Sequence, residues 1–308
     1  MKKVFIDGSA GTTGLRISER LNARKEIELI ELSESRRKDP TARKEALNRA
    51  DVAFLCLPDE AARESVSLVE NPETVILDTS TAHRTGKAFV YGFPELSGEI
   101  RKSIAASKRI AVPGCHASGF ISLIDPLIRQ GILSKNALLS CFSVTGYSGG
   151  GKKMIAEYEA ANRSALLHSP RQYSLSQFHK HLPEMTAVTH LKNAPVFSPI
   201  VADYYSGMTV TVPLFSEMLS GTAKDIREIY RQQYPGPIVR YVESPDENGF
   251  LAANRLAGKD SMEISVAGNE DRILLISRYD NLGKGASGAA VQCMNLVLGL
   301  PETEGLVL

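Results

Sequence analysis

The stretch KVFIDGSAGTTGLRISERL, beginning at Lys3, constrains the fold more than any other part of the chain. KVFID is a short β-prone run, GSAGTTG follows at once with glycines at 8, 11 and 14, and Leu15, Ile17 and Leu21 then suggest one packed helical face. Glycines at a strand-to-helix junction let the chain turn tightly. They also let backbone N–H groups approach an anion at the helix N-terminus, as pyrophosphate-binding loops of βαβ units do. The spacing differs from the G-x-G-x-x-G fingerprint, so the position after the first strand carries the inference. Gly8, Ser9, Ala10, Gly11, Thr12, Thr13 and Gly14 are the candidate dinucleotide-binding loop, and a plain strand-to-helix turn is the alternative.

The alternation continues through IELIEL, a charged helix-like stretch, VAFLCLP, EAARESVSLV and TVILD, which predicts a parallel sheet with helices on both faces. After about residue 114 the pattern changes to longer runs, ALLSCFSV, GMTVTVPLF, MEISVA and RILLISRY, with helical segments near 153–166, 183–192 and 222–233. That predicts an α+β domain on a mixed or antiparallel sheet. ASGAAVQCMNLVLGL reads as a closing helix, apolar on more than one face. The expected class is α/β: a Rossmann-type dinucleotide-binding domain over 1–114, completed by a C-terminal helix over 286–308, and an α+β catalytic and oligomerisation domain over 115–285.

The second predicted strand ends in ELSESRRK. NAD-selective sites place a carboxylate at that strand end for the ribose 2′-hydroxyl. Here Ser33, Arg36 and Arg37 offer a hydroxyl and guanidinium groups, which suit the 2′-phosphate of NADP better. Glu31 and Glu34 compete, and a solvated charge run is the alternative reading.

A net charge of +1 over 308 residues gives no field to attract nucleic acid or an acidic membrane. The apolar residues before Gly8 are too few for a signal-peptide core, and no run approaches the roughly 18 residues of a membrane span. A cytoplasmic protein with no nucleic-acid or membrane partner is expected. The four cysteines, at 56, 115, 141 and 293, form no metal-ligand spacing and no disulfide framework, which points to a reducing compartment. Cys56, Cys141 and Cys293 lie in apolar runs and read as buried small hydrophobes.

Cys115 differs, because in AVPGCHASGFISLIDPLI it follows Pro-Gly and opens a helical pattern interrupted only by Pro126. Unpaired N–H groups at a helix start stabilise a thiolate. A nucleophilic thiol beside a nicotinamide can form a thiohemiacetal or thioester whose carbon exchanges hydride with the cofactor. Among the six histidines only FHKHLPE clusters a pair, and in an extended segment His179 and His181 would share one face, with Pro183 and Glu184 starting a helix. One could protonate an oxyanion while the other positions substrate. A surface pair or a metal half-site are the rivals, the latter without a third ligand, so no metal is expected. TGYSGGGKK, at 145–153, offers further N–H groups and a hydroxyl for an anion, or is a simple turn.

Together these motifs resemble the N-acetyl-γ-glutamyl-phosphate reductases in their shorter form: GSAGTTG, LDTSTAHR, YGFPEL, VPGCHASG, HKHLPE and DNLGKGASGAAVQCMNLVLGL, in that order. The resemblance implies NADPH-dependent reduction of N-acetyl-γ-glutamyl phosphate to the semialdehyde in arginine biosynthesis, by a homo-oligomer. It makes Cys115 the nucleophile and His179 and His181 the acid/base and orienting pair. It also sets Arg84, Ser148, Gly149 and Glu184 at the substrate and Asn281 near the nicotinamide. Related activities on aspartyl or aminoadipyl phosphate share the chemistry, and a dinucleotide sensor with an inert Cys115 is the alternative from another class. His116-Ala-Ser stands where the family has Tyr-Pro-Thr and Thr81-Ala-His83 where it has Ala-Asp-Phe, so the resemblance assigns no role to His83 or His116.

Overall fold

A computed structural model describes all residues, 1–308. The chain divides into two compact units, Met1–Gly114 with Ala286–Leu306, and Cys115–Gly285 with Val307–Leu308.

The first unit begins with β1 (Lys2–Asp7), α1 (Thr12–Asn22), β2 (Ile27–Ile30), α2 (Pro40–Arg49), β3 (Val52–Leu55), α3 (Asp59–Ser67), β4 (Val75–Asp78), β5 (Val90–Tyr91), α4 (Gly98–Ala106) and β6 (Arg109–Ala111). Its six strands lie in the order β2-β1-β3-β4-β6-β5, all parallel. Period-two side chains explain why both faces are covered. Val4, Ile6, Val52 and Phe54 pack with Ile17 and Leu21 of α1 and Ile104 of α4. Phe5, Ala53 and Leu55 point the other way, onto Ala46 and Leu47 of α2 and Ala62 of α3. The chain leaves β1 for β2 on one side and then crosses to β3 on the other, so a crevice opens beyond the carboxyl ends of β1 and β3.

The second unit contains α5 (Cys115–Arg129), β7 (Ser140–Gly146), α6 (Gly151–Glu159), β8 (Arg171–Gln172), α7 (Leu182–Thr189), β9 (Val196–Ala202), β10 (Met208–Phe215), α8 (Ala223–Gln233), β11 (Val239–Tyr241), β12 (Met262–Gly268) and β13 (Arg272–Tyr279). The seven strands form one mixed sheet, β11-β12-β13-β10-β7-β9-β8, in which β7/β9 and β11/β12 are parallel. Helix α5 packs on β10, β13, α7 and α8, and every residue from His116 to Ile128 is buried. Two devices permit this. At Gly119 a Cβ would fall 2.5 Å from Val210 and 2.6 Å from the Tyr279 hydroxyl, so only glycine lets the helix lie this close to the sheet. Pro126 deprives the Ser122 carbonyl of its helical donor, and the Tyr234 hydroxyl supplies one at 2.7 Å. The helix therefore runs through its proline.

The chain returns to the first unit as α9 (Gly288–Leu298), after a π-type turn at Gly283–Ser287. Ala289, Ala290, Val291, Cys293 and Met294 join the core around Val4 and Phe54. Four expectations are corrected. The closing helix ends at Leu298, not 308, because Gly299 takes a left-handed cap (φ 66) and Pro301 cannot continue a helix. Helix α6 stops at Glu159, where Ala160 turns extended, leaving only a short 3-10 turn at Ala165–His168. Helix α7 stops at Thr189 because His190 is left-handed at φ 59. His179 and His181 do not lie in an extended segment: His181 has helical backbone angles and forms the N-cap of α7. No helix is long and apolar enough to cross a membrane.

Candidate active site

In the first unit the glycine loop sits between β1 and α1, at the crevice. Its three glycines differ in what constrains them. Gly8 has φ +88 and a Cβ there would fall 2.3 Å from the Cys56 carbonyl oxygen; at Gly14 one would fall 2.5 Å from the Gly8 oxygen. The first is imposed by the close approach of the chain just after β3, the second by packing within the loop itself. A Cβ at Gly11 would meet nothing closer than the Gly8 oxygen at 3.4 Å, at an ordinary φ of −74. The protein itself has room for a side chain there, so packing does not explain the glycine at 11. Thr12 opens α1 with a buried Oγ1 that has no hydrogen-bond partner, and Gly11 caps the helix with no side-chain acceptor. An unclaimed hydroxyl and uncapped N–H groups at a helix start suit a pyrophosphate. The residues present therefore fit a dinucleotide.

After β2, Ser33, Arg36 and Arg37 lie in one turn. The Ser33 hydroxyl is 3.2 Å from that of Ser35, Arg36 reaches Glu45 at 3.4 Å with both side chains more than half exposed, and Arg37 Nε donates to the Leu32 carbonyl at 3.4 Å. An exposed ion pair of this kind is held weakly and can be exchanged for a phosphate.

At the end of β4 the fully buried Asp78 accepts from the Ser80 N–H at 2.9 Å and the Ser80 hydroxyl at 2.8 Å. His83 Nδ1 lies 2.6 Å from the same carboxylate, and the ring stacks on Phe89 at 4.2 Å. His83 is thus the partner of a buried carboxyl group. Arg84 is also buried, donating to the Val112 carbonyl at 2.9 Å and the Thr79 carbonyl at 2.7 Å, so its guanidinium is locked across the ends of β4 and β6.

In the second unit Cys115 is the first residue of α5 and is partly exposed. None of the four cysteines is disulfide-bonded. Burial pushes the Cys56 thiol up to about 12 and raises that of Cys141 further, so both stay protonated near neutral pH. The Tyr279 hydroxyl donates to the Cys115 carbonyl at 2.5 Å and accepts from the Gly119 N–H at 3.0 Å, which ties the first turn of α5 to β13. Directly after Cys115, the His116 ring is buried against those of His179, His181, Tyr173 and Phe197, with centroids 5.4 to 6.2 Å away. His179 and His181 are themselves 4.9 Å apart. The His181 backbone N–H donates to His179 Nδ1 at 3.2 Å. Burial and the nearby Lys180 pull His179 down to about 4. A neutral ring with an accepting Nδ1 carries its proton on Nε2, where it can donate to a carbonyl or oxyanion.

Glu184, in the first turn of α7, is buried, and α7 packs on α5. Ser148 and Gly149 form a 3-10 turn after β7. The buried Asn281 braces that turn, donating from Nδ2 to the Ser148 hydroxyl at 3.0 Å and accepting at Oδ1 from the Gly207 N–H at 2.9 Å. Its carboxamide is occupied at both ends. No group of three or more His, Cys, Asp or Glu side chains is arranged to hold a metal ion.

Sequence reasoning missed Ser143, Tyr173 and Tyr279. Tyr173 lies 57 residues beyond His116, just past the two-residue strand β8, and no spacing signals that pairing.

Comparison with known proteins follows the same division. Residues 3–104 match the family model "Semialdehyde dehydrogenase, NAD binding domain" and residues 115–281 match "Semialdehyde dehydrogenase, dimerisation domain". The chain is 44% identical to N-acetyl-gamma-glutamyl-phosphate reductase 2 of Nostoc sp., over 99% of each chain. It is 43% identical to N-acetyl-gamma-glutamyl-phosphate reductase of Brucella ovis, over 96% of this chain and 99% of the relative. Solved structures share the fold at low identity. Aspartate semialdehyde dehydrogenase from Francisella tularensis has a TM-score of 0.73 at 13% identity, covering 97% of this chain and all of that one. The Candida albicans enzyme with NADP has a TM-score of 0.65 at 14% identity, covering 97% of this chain and 98% of that one. With a nucleotide-crevice unit and a cysteine-bearing mixed-sheet unit, each matched by its own model, the chain belongs to the N-acetyl-γ-glutamyl-phosphate reductase family of semialdehyde dehydrogenases.

Proposed function

We propose that the chain reduces N-acetyl-γ-glutamyl phosphate to N-acetylglutamate semialdehyde with NADPH, in arginine biosynthesis. The observation that carries this is the partly exposed Cys115 at the N-terminus of α5, followed by a ring cluster that contains both histidines of the HKHLPE motif.

The Cys115 thiolate attacks the acyl carbon, the carbon–oxygen bond to phosphate breaks, and phosphate leaves behind a thioester. NADPH, held by Gly8 to Gly14 with Ser33, Arg36 and Arg37 at the 2′-phosphate, supplies hydride when bound. One histidine of the pair donates to the developing oxyanion, and collapse of the thiohemiacetal releases the aldehyde and returns Cys115 as thiolate. Ser148, Gly149, Glu184 and Arg84 are the proposed substrate contacts, and Asn281 supports the 148–149 turn near the nicotinamide. Four cysteines that form no disulfide favour a reducing, cytoplasmic setting. The exposed face of the mixed sheet is assigned to a second copy of the chain, making a homo-oligomer.

Run in reverse, the test is phosphate-dependent reduction of NADP⁺ by N-acetylglutamate semialdehyde, read at the nicotinamide absorbance. Incubation with the acyl phosphate alone leaves an acyl adduct on Cys115, detected by mass spectrometry. Turnover that ignores phosphate, an adduct on Cys56, Cys141 or Cys293, or a preference for aspartate semialdehyde overturns the reading.

A further inference from the structure

We propose that Tyr173 and Ser143, acting through His116, are positioning residues that hold His179 and His181 in register with Cys115. The inference rests on the reading of Cys115 as nucleophile and of the two histidines as its acid/base and orienting pair.

His116 uses both ring nitrogens. Nδ1 lies 2.6 Å from the Ser143 hydroxyl on β7, and Nε2 lies 2.8 Å from the Tyr173 hydroxyl just beyond β8. Bonds at opposite edges stop the ring from turning, and its remaining surface packs on His179 at 5.7 Å and His181 at 5.6 Å. Burial, reinforced by His179 and Lys180, pulls His116 down to about 3, so the brace is uncharged throughout the working range. Filling the core is not a sufficient explanation. A phenyl ring would fill the same space without burying three polar groups, and Ser143 and His116 are 0% and 3% exposed. A buried polar network in which every member is satisfied selects one arrangement of the groups around it.

The segment that carries the histidines is fixed by the same network. It leaves β8 at Tyr173, whose N–H donates to the Pro199 carbonyl at 3.0 Å. It passes through left-handed backbone at Ser174 (φ 54) and Gln177 (φ 61). The Gln177 carboxamide then exchanges two 2.9 Å bonds with the Phe197 backbone. Phe197 in turn packs on both His116 and His179. Burial, and to a lesser extent Cys115, raise the Tyr173 hydroxyl above its ordinary value. The network therefore touches the nucleophile's surroundings and the histidine segment at once.

The test compares wild type, Tyr173→Phe and Ser143→Ala in turnover, melting temperature and the pH dependence of Cys115 alkylation by iodoacetamide. Both variants should lose roughly tenfold or more in kcat with substrate KM within about twofold, as expected when an acid/base group is misplaced by a fraction of an ångström. Their alkylation midpoint should move upward, because on this proposal the imidazole N–H held beside Cys115 is what favours its thiolate. The double variant should be little worse than the weaker single, since both changes act through one ring. Ser143→Thr, which keeps the hydroxyl, should restore both readouts and covers the case in which Ser143→Ala does not fold. Lower melting temperature with kcat and alkylation unchanged would make the network a matter of stability alone. A loss confined to Tyr173→Phe would put Tyr173 itself on the substrate. Either overturns the proposal. The alkylation arm needs no substrate, so it stands even if the wild-type chain reduces a different acyl phosphate.

Discussion

Gly11 separates what the fold needs from what a ligand needs. Gly8→Ala should destabilise the first unit, since a Cβ there meets a carbonyl oxygen at 2.3 Å in backbone of positive φ. Gly11→Ala should leave the melting temperature within about one degree while weakening NADPH at least tenfold, because its methyl group has room in the protein and would enter the space proposed for the pyrophosphate. Fluorescence titration and thermal unfolding on the same samples check this, and unchanged affinity would remove the loop from the cofactor site. His116 gives a second residue-level prediction, from linkage. Its folded value lies near 3, below the ordinary 6.5, so between those limits the unfolded chain binds a proton that the folded chain does not. Stability is therefore complete above about pH 6.5 and is lost as pH falls toward 3, by up to about 1.4 kcal/mol per pH unit. Denaturant unfolding at pH 7 and pH 4.5 should show a shallower loss in His116→Phe than in wild type. Equal slopes would mean that His116 is not held neutral.

Among the elements, legibility followed locality. The βαβ alternation, the glycine loop and the cysteine at a helix start are contiguous in sequence and were readable from it. What could not be read depends on distant partners. Helix α5 survives Pro126 because Tyr234 on another element caps Ser122, and helix α7 ends one turn early on a left-handed His190 that no breaker residue announces. The histidine pair was visible, but its setting depends on Ser143 and Tyr173, which only the sheet brings to His116. The β2–α2 connection lies between these cases. Its residues were legible as candidates, while the Arg36–Glu45 pair was not. A charge-assisted contact to a 2′-phosphate contributes about 1.5 to 3 kcal/mol, against an exposed ion pair of at most about 1 kcal/mol. Arg36→Ala should accordingly weaken NADPH by roughly 10- to 150-fold, the factor that such a contact corresponds to, and leave NADH nearly unchanged. Equal loss for both cofactors would make Arg36 a support of the turn.

The mixed sheet of the second unit has one face that its own helices leave open. Helices α5 and α8 cover one side of the mixed sheet, where Met208, Val210, Val212 and Leu214 are buried. On the other side Phe142 pairs in register with Thr211 of β10 and Ser198 of β9, and Pro213 with Leu274 of β13. Phe142 is 46% exposed, Val196 60% and Phe215 61%. Apolar side chains spread across several strands of one sheet face are unusual on a monomer. They suit a self-complementary contact about a two-fold axis, in which each Phe142 meets the same surface of the second copy. Phe142→Asp combined with Phe215→Asp places a carboxylate at two points of that face without touching the buried side of the sheet. Sedimentation velocity should find the wild-type chain as a dimer or larger at micromolar concentration and the double variant as a monomer, with far-UV circular dichroism unchanged. A wild-type monomer, or a variant that assembles as wild type does, would assign the contact to another surface and leave this face without an occupant.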